Sequence, residues 1–347
     1  MKQGMAAALG VFAFGLAATT AAQAADDDGF YKGKTVSMIL SAGSGGGYDT
    51  YARAFANYLG KHIPGSPHVI VQGMPGGGGI RAMNYLYEVA PKDGSTVGLV
   101  HSSVPFAQVY GIDAAKFDAR NFSWIGALNN ASAMCVSWAA SGVKTWNDLF
   151  QENKFIVGGS GAGSQMETLP AMLNKLFGTK IKIISGYKGG NDIFLAMERG
   201  EVNGRCGALV ASINSTRPDW FPEKKVAVPI MISMERSPRF PDVPAIVEFA
   251  KDEKTKKVLE LVLSPQEIDK PMLAPPGVPA ARMAVLRQAF EAATKDPQFL
   301  ADAQKQKLDI DPVSADRVAK IVKNAYDMPS DVIAAANDAM DMKNAGE

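Results

Sequence analysis

Short apolar runs alternate with stretches of helical period along most of this chain. Val36, Met38, Ile39 and Leu40 crowd the segment Thr35 to Leu40, which ends at a glycine cluster. Tyr51, Phe55, Tyr58 and Leu59 then recur at i, i+4, i+7 and i+8, one face of a helix. Val69-Ile70-Val71 predicts a second strand, again followed by glycines. A helix from about Ile80 to Glu88 and a strand over Thr96 to Val100 come next. The pattern then restarts. Phe155-Ile156-Val157, Ile181 to Ile184 and Val202 to Leu209 predict strands; Met166 to Phe177 and Asp192 to Arg199 predict the helices between them. From Pro279 onward the period is helical: Met283 to Thr294, Pro297 to Gln306, Ala315 to Met328 and Ser330 to about Met342. Repeated strand, Gly-rich loop and helix argue for parallel, helix-covered sheet. Two such blocks share the chain, with crossovers expected near Asn121 to Ala127 and Val226 to Ser233. Lys251 to Lys257 reads as a solvated charged face.

The 347 residues fit about two domains. With 36 Lys+Arg against 35 Asp+Glu, no global field exists to hold a polyanion, so nucleic acid is not an expected partner. Two Cys and three His (His62, His68, His101) give no basis for a metal centre, and no cofactor is expected. Residues 1–24 read as a signal peptide: Lys2, an apolar stretch from Met5 to Ala18, then the small-x-small pattern Ala22-Gln23-Ala24. The apolar stretch is shorter than the ~20 residues of a spanning helix. Its removal takes away one Lys and no acid and leaves a balanced chain. A soluble protein of the bacterial periplasm is expected, an oxidising compartment. Cys135 and Cys206 both lie on strand-like segments, Ala133 to Trp138 and Val202 to Leu209. A disulfide between them and a pair of buried thiols are both open.

The glycine clusters carry the candidate chemistry. Ala42-Gly43-Ser44-Gly45-Gly46-Gly47-Tyr48-Asp49 and Met74-Pro75-Gly76-Gly77-Gly78-Gly79 each join a strand to a helix, as does Gly158 to Ser164. Glycine lets backbone approach a ligand closely, and N–H groups at a helix N-terminus point at an anion. At the carboxyl ends of parallel strands such loops face a ligand crevice. The alternative is tight turns without a ligand. Phosphate-loop, dinucleotide and nucleophile-elbow patterns are each incomplete in these loops. His101 ends a strand before Ser102-Ser103 and faces either the cleft or the interior. Strand alternation puts Asn203, Arg205 and Gly207 on one face. Arg205 either pairs with a ligand carboxylate or forms a structural ion pair. Tyr48, Phe106 and Tyr110 either line the cleft or pack in core and rim.

The order of these motifs resembles one family. Gly43-Ser44-Gly45-Gly46-Gly47-Tyr48-Asp49 is followed by Pro75 to Gly79, Pro91-Lys92-Asp93-Gly94-Ser95-Thr96, Gly159 to Ser164, Gly186-Tyr187-Lys188-Gly189-Gly190 and Arg199-Gly200-Glu201-Val202. Arg236-Ser237-Pro238-Arg239-Phe240-Pro241-Asp242-Val243-Pro244 and Ala274 to Pro279 complete it. The chain resembles the Bug (TctC-like) family, extracytoplasmic solute receptors of tripartite tricarboxylate transporters. The resemblance implies an α/β, two-lobed periplasmic-binding-protein fold of Venus-flytrap, type II-like form, with the ligand cleft between the lobes. Lobe 1 would comprise residues 25–122, lobe 2 residues 123–231, and residues 232–347 would return to lobe 1 with the C-terminal helices. One carboxylate of a small organic acid would sit on Ala42 to Asp49 and Gly76, Gly77 and Gly78, with Ser102 and Ser103 beside them. Lobe 2 would offer Ser160, Gly161, Ser164, Tyr187, Lys188 and Gly189, to which the strand alternation above adds Arg205 as a candidate. The expected partners are the acid and TctA/TctB-like membrane subunits, with the receptor a monomer and not an enzyme. A receptor reporting to a sensor kinase is the nearest alternative, and a secreted serine hydrolase using Ser44 or Ser160 the more distant one. Tyr48 departs from the family's small Ser or Thr before the Asp. Gly207 stands nearest the family's acidic position at a strand end, which disfavours an amino-acid ligand.

Cleavage after Ala24 is the expected outcome for the exported protein. Intact-mass measurement checks it, and a mature form that retains residues 1 to 18 contradicts it.

Overall fold

The computed structural model of the chain describes Met1 and residues 29–43, 47–159, 164–187 and 190–340. Residues 2–28, which hold most of the expected signal peptide, lie outside the described residues. Two mixed sheets form the framework. The first contains β1 (Thr35–Leu40), β2 (His68–Gly73), β3 (Thr96–Leu99), β4 (Ser123–Asn129), β10 (Asp269–Ala274) and β11 (Val313–Ser314), in the order β11-β4-β10-β3-β1-β2. The second contains β5 (Ala133–Trp138), β6 (Ile156–Gly158), β7 (Lys182–Ile184), β8 (Gly204–Ala208) and β9 (Val226–Ile232), in the order β7-β6-β8-β5-β9. Within the first sheet β1 is parallel to β2 and β3, and β10 runs antiparallel to both β3 and β4. In the second, β6 is parallel to β7 and β8, while β5 is antiparallel to β8 and β9.

Helices cover both faces of each sheet. They are α1 (Gly47–His62), α2 (Ile80–Glu88), α3 (Gln165–Phe177), α4 (Gly190–Arg199), α5 (Val210–Thr216), α6 (Glu253–Glu267), α7 (Ala280–Lys295), α8 (Pro297–Lys305), α9 (Ala315–Tyr326) and α10 (Ser330–Met340). The apolar stripe of α1 buries Phe55 and Leu59 against Val36 and Met38, together with Phe290 of α7 and Phe299 of α8. On the opposite face a single core runs from Met83 and Leu86 of α2, through Leu259 of α6, Val322 of α9 and Ala336 of α10, to Leu169 and Leu173 of α3. That core joins the two lobes. A third cluster packs Ile193 and Phe194 of α4 with Met134, Trp220 and Met231. Among the described residues no helix is long and apolar enough to cross a membrane.

Two expectations change. Residues 121–127 are not a crossover: β4 starts at Ser123 and pairs with β10 and β11 in the first sheet. Residues 123–129, expected in lobe 2, thus belong to the first sheet by pairing, and the chain passes to the second sheet over 130–132. Trp124, Ile125, Ala127 and Leu128 are all buried, so the strand lacks the alternation of a half-exposed one. The expected crossing at Val226 to Ser233 is likewise strand, β9, at the edge of the second sheet. The return instead follows it, through α6. That helix was hidden in the sequence because its charged start is exposed and Pro265 interrupts its period, although Val258, Leu259, Leu261, Val262 and Leu263 are buried.

Cys135 of β5 and Cys206 of β8 form a disulfide between neighbouring antiparallel strands, and both are fully buried. It closes a loop with a sequence separation of 71 residues. Cross-links over loops of this length stabilise by roughly 4 kcal/mol in the chain-entropy model. The double variant Cys135→Ala/Cys206→Ala is therefore expected to melt well below the parent in a calorimetric scan. In the native parent, neither sulfur should take up a thiol-alkylating reagent unless denaturant and reductant are both present.

Candidate functional site

In the first lobe the site begins where β1 ends. Ser41 is 2% exposed. Its Oγ accepts the His101 N–H at 2.8 Å and lies 3.0 Å from His101 Nδ1. An oxygen that already accepts one N–H is placed to donate its own proton to Nδ1, which leaves Nε2 as the ring donor. The imidazole also hydrogen-bonds the Gly78 backbone. One histidine thereby pins the loop after β2 to the loop after β1. A serine–histidine contact of this length fits nucleophilic chemistry in distance, but Ser41 is buried and braces the turn. Burial holds the His101 pKa below its ordinary 6.5, against the opposing pull of Asp269 and the Gly78 contact.

The loop that His101 pins has an unusual backbone. Gly76, Gly77, Gly78 and Gly79 all have positive φ, at 134°, 55°, 63° and 107°. Four consecutive residues in that region are accessible only to glycine. A Cβ on Gly79 would also lie 2.8 Å from Val104 Cγ2. Runs of this kind turn successive N–H groups into a concave anion-binding surface. Ala42, Gly43 and Gly47 flank the neighbouring junction, and Asp49 in the first turn of α1 pairs with Arg53 at 2.8 Å. Ser44, Gly45 and Gly46 lie outside the described residues.

Tyr48 fastens this region to the start of β10. Its hydroxyl donates to Asp269 Oδ1 at 3.1 Å and accepts the Ser102 N–H at 3.2 Å, while its ring sits 4.4 Å from that of His101. Burial and the Asp269 charge push the Tyr48 pKa far above its ordinary value. Asp269 also pairs with Lys270, whose Nζ lies 4.1 Å from the centroid of Tyr51. Lys270 is buried, has φ 58° and precedes Pro271, a combination that ordinary residues avoid. Tyr51 in turn clasps Asp309, accepting its N–H at 3.0 Å and donating to its carbonyl at 3.1 Å. The Asp309 carboxylate meets Arg239 at 3.7 Å. A crevice of about 330 Å³ lies here, lined among others by Asn130, Leu209, Arg239 and Asp309, from both lobes. Asp269, Lys270 and Asp309 are not singled out by the sequence, and Tyr51 stands there only as part of an apolar helix face. Lys270-Pro271 ahead of the apolar Met272-Leu273-Ala274 is a local signal for Lys270 alone.

In the second lobe Ser164 caps α3, its Oγ accepting the Met166 N–H at 3.1 Å. Tyr187 lies against Gly158, and buried Glu167 against Gly159. Arg205 is 8% exposed and carries no ion pair among the described residues; its Nε and Nη1 have no hydrogen-bond partner. Ser160, Gly161, Lys188 and Gly189 lie outside the described residues. Ser102 joins the Tyr48 network, whereas Ser103 is exposed beside it. Phe106 is fully buried in the core and Tyr110 donates to the Leu261 carbonyl of α6 at 3.1 Å, so neither is a cleft residue.

Over residues 52–337 the chain matches the model of the tripartite tricarboxylate transporter family receptor, TctC. The chain belongs to the TctC family. A relative from Agrobacterium vitis, a UPF0065 protein encoded in the TAR-I ttuE-ttuC' intergenic region, is 27% identical over 285 residues, covering 80% of this chain and 76% of the relative. A ligand-free TctC solute-binding protein from Polaromonas shares the fold with a TM-score of 0.67 at 19% identity, over 89% of this chain and 98% of that one. MatC from Rhodopseudomonas palustris, solved with bound malate, gives 0.55 at 18% identity, over 89% and 99%. These likenesses show the two-lobed binding-protein fold for this TctC-family receptor.

The His101 shift has a defined sign. A base whose folded pKa is depressed binds protons more weakly in the folded state, so its contribution is present above pH ~6.5 and is lost as pH falls below that value. The melting temperature of the receptor is expected to decline from pH 7 to 5, and His101→Gln is expected to flatten that decline. Thermal denaturation across this pH range checks both.

Proposed function

We propose that this chain is a periplasmic receptor that takes a small organic acid between its lobes and delivers it to membrane subunits of a tripartite-type transporter. The observation that carries the reading is the run of four left-handed glycines, Gly76 to Gly79, pinned by His101 beside the N-terminal end of α1. Backbone N–H groups there supply partial positive charge that does not titrate. A nearly neutral chain must select an anion with such local donors, because it has no global field to do so. Malate in MatC supports a carboxylate as the ligand class. The hydrolase alternative falls on Ser44 and Ser160, which lie outside the described residues. Ligand that contacts both lobes would shift an open–closed equilibrium by its preference for the closed form. The pivot would lie at 130–132 and in the return after β9.

Thermal-shift measurement with a panel of small carboxylates, neutral sugars and cationic amines tests this. A ligand that binds only the native state raises its stability by RT ln(1 + [L]/Kd). Carboxylates should raise the melting temperature, and Gly78→Asn, a side chain that tolerates the left-handed backbone, should reduce or remove the shift while the circular dichroism spectrum stays that of the parent. Stabilisation by sugars or amines alone would overturn the carboxylate reading.

A further inference from the structure

We infer that Arg205, together with the N-terminus of α4, receives a second anionic group of the ligand, so that the solute is a dianion held at both ends. The inference rests on the carboxylate-receptor reading and extends it to the second lobe. Arg205 stands on β8, beside the disulfide, with its side chain on the α4 face of the sheet. Its guanidinium lies 4.9 Å from the centroid of Phe194. Among the described residues Nη2 reaches only the Gly207 carbonyl, at 3.4 Å, while Nε and Nη1 have no hydrogen-bond partner. A Cβ on Gly190 would lie 2.1 Å from Nη1. The guanidinium therefore rests against the first residue of α4, a helix of 10 residues whose N-terminal end carries partial positive charge.

The buried guanidinium thus meets the half-buried start of α4, and among the described residues no carboxylate pairs with it; the first turn of α4 carries Asp192, which makes no ion pair with Arg205. Glu167 is buried nearby, under Gly159, but forms no ion pair with Arg205. An arginine kept for stability alone would be paired, because an isolated buried charge is expensive. Burial even draws the Arg205 pKa down to about 10. A carboxylate entering here would meet free N–H donors and the helix end at once, and would relieve the cost of the buried charge. The glycine at position 190 is what leaves the guanidinium room, since any side chain would collide with it. Cationic and neutral solutes gain nothing from this arrangement, and a monoacid uses only half of it.

The test is isothermal titration of the full chain with succinate, malate and adipate, each against a monocarboxylate of matched length, in the parent, Arg205→Met and Arg205→Lys. The best diacid should bind the parent on the order of 100-fold tighter than its matched monoacid, the scale for a buried charge pair with one partner removed. Arg205→Met should abolish that preference and leave monoacid binding within about 3-fold. Without ligand, Arg205→Met should melt no lower than the parent, because it removes an unpaired buried charge. A structural arginine would instead lower that melting temperature. If Arg205→Met does not fold, Arg205→Lys decides: loss of diacid affinity alone upholds the inference, and unchanged diacid affinity overturns it. Equal binding of diacid and monoacid by the parent, or a preference that survives in Arg205→Met, also overturns it and leaves the carboxylate reading standing. If no acid binds the parent, that reading falls and takes this inference with it.

Discussion

Both lobes hang from the antiparallel pairing of β4 with β10. Asn129 and Asp269 face each other at one end of this pair, and immediately beyond them the chain leaves for, or has just returned from, the second lobe. Any movement between lobes has to be absorbed next to these two residues. The continuous core through α6, α9 and α10 adds a packed seam on one side, and packed interiors shift between discrete arrangements more readily than they stretch. The single bond from Tyr48 to Asp269 then gives the loop after β1 a direct mechanical connection to the strand end where the chain re-enters the first sheet.

Much of the framework was legible as period. α2 could be read at its observed boundaries, and β1, α3 and α7 to α10 lay close to the expected ranges, since each buries one apolar stripe or is a short apolar run before glycines. The failures share one cause. β4 and β10 are buried on both faces and carry no alternation, and α6 has a charged, exposed first half. Those three elements make the connection between lobes, so the crossing point was misplaced by several residues. The glycine loops were legible because positive φ demands glycine at Gly76 to Gly79. The bracing around them was not. Ser41 to His101, Tyr48 to Asp269 and Tyr51 to Asp309 join residues 60, 221 and 258 positions apart, and no local pattern encodes such pairs.

Residues that break local rules gather around the candidate site. Lys270 is left-handed before a proline, and Arg205 is charged within a buried strand. Each costs stability where it stands, and sequences tolerate such conflicts mainly where a function requires them. Tyr48 also narrows the space beside His101, the residue that pins the first-lobe glycines.

The strand order of the two sheets also sets a schedule for assembly. Every strand of the second sheet comes from the continuous stretch between Ala133 and Ile232, and the disulfide falls within it. That sheet is complete in outline as soon as this stretch has emerged. The first sheet cannot be: β3 and β4 are separated by β10, which is made more than 130 residues after β4. Until then β1 to β4 wait as two unconnected pieces with apolar faces uncovered. Non-local pairing of this kind is slow and leaves such surfaces prone to aggregation. During biogenesis the half of the molecule that starts first is therefore the half that finishes last, and a holding chaperone would find its main client surface there.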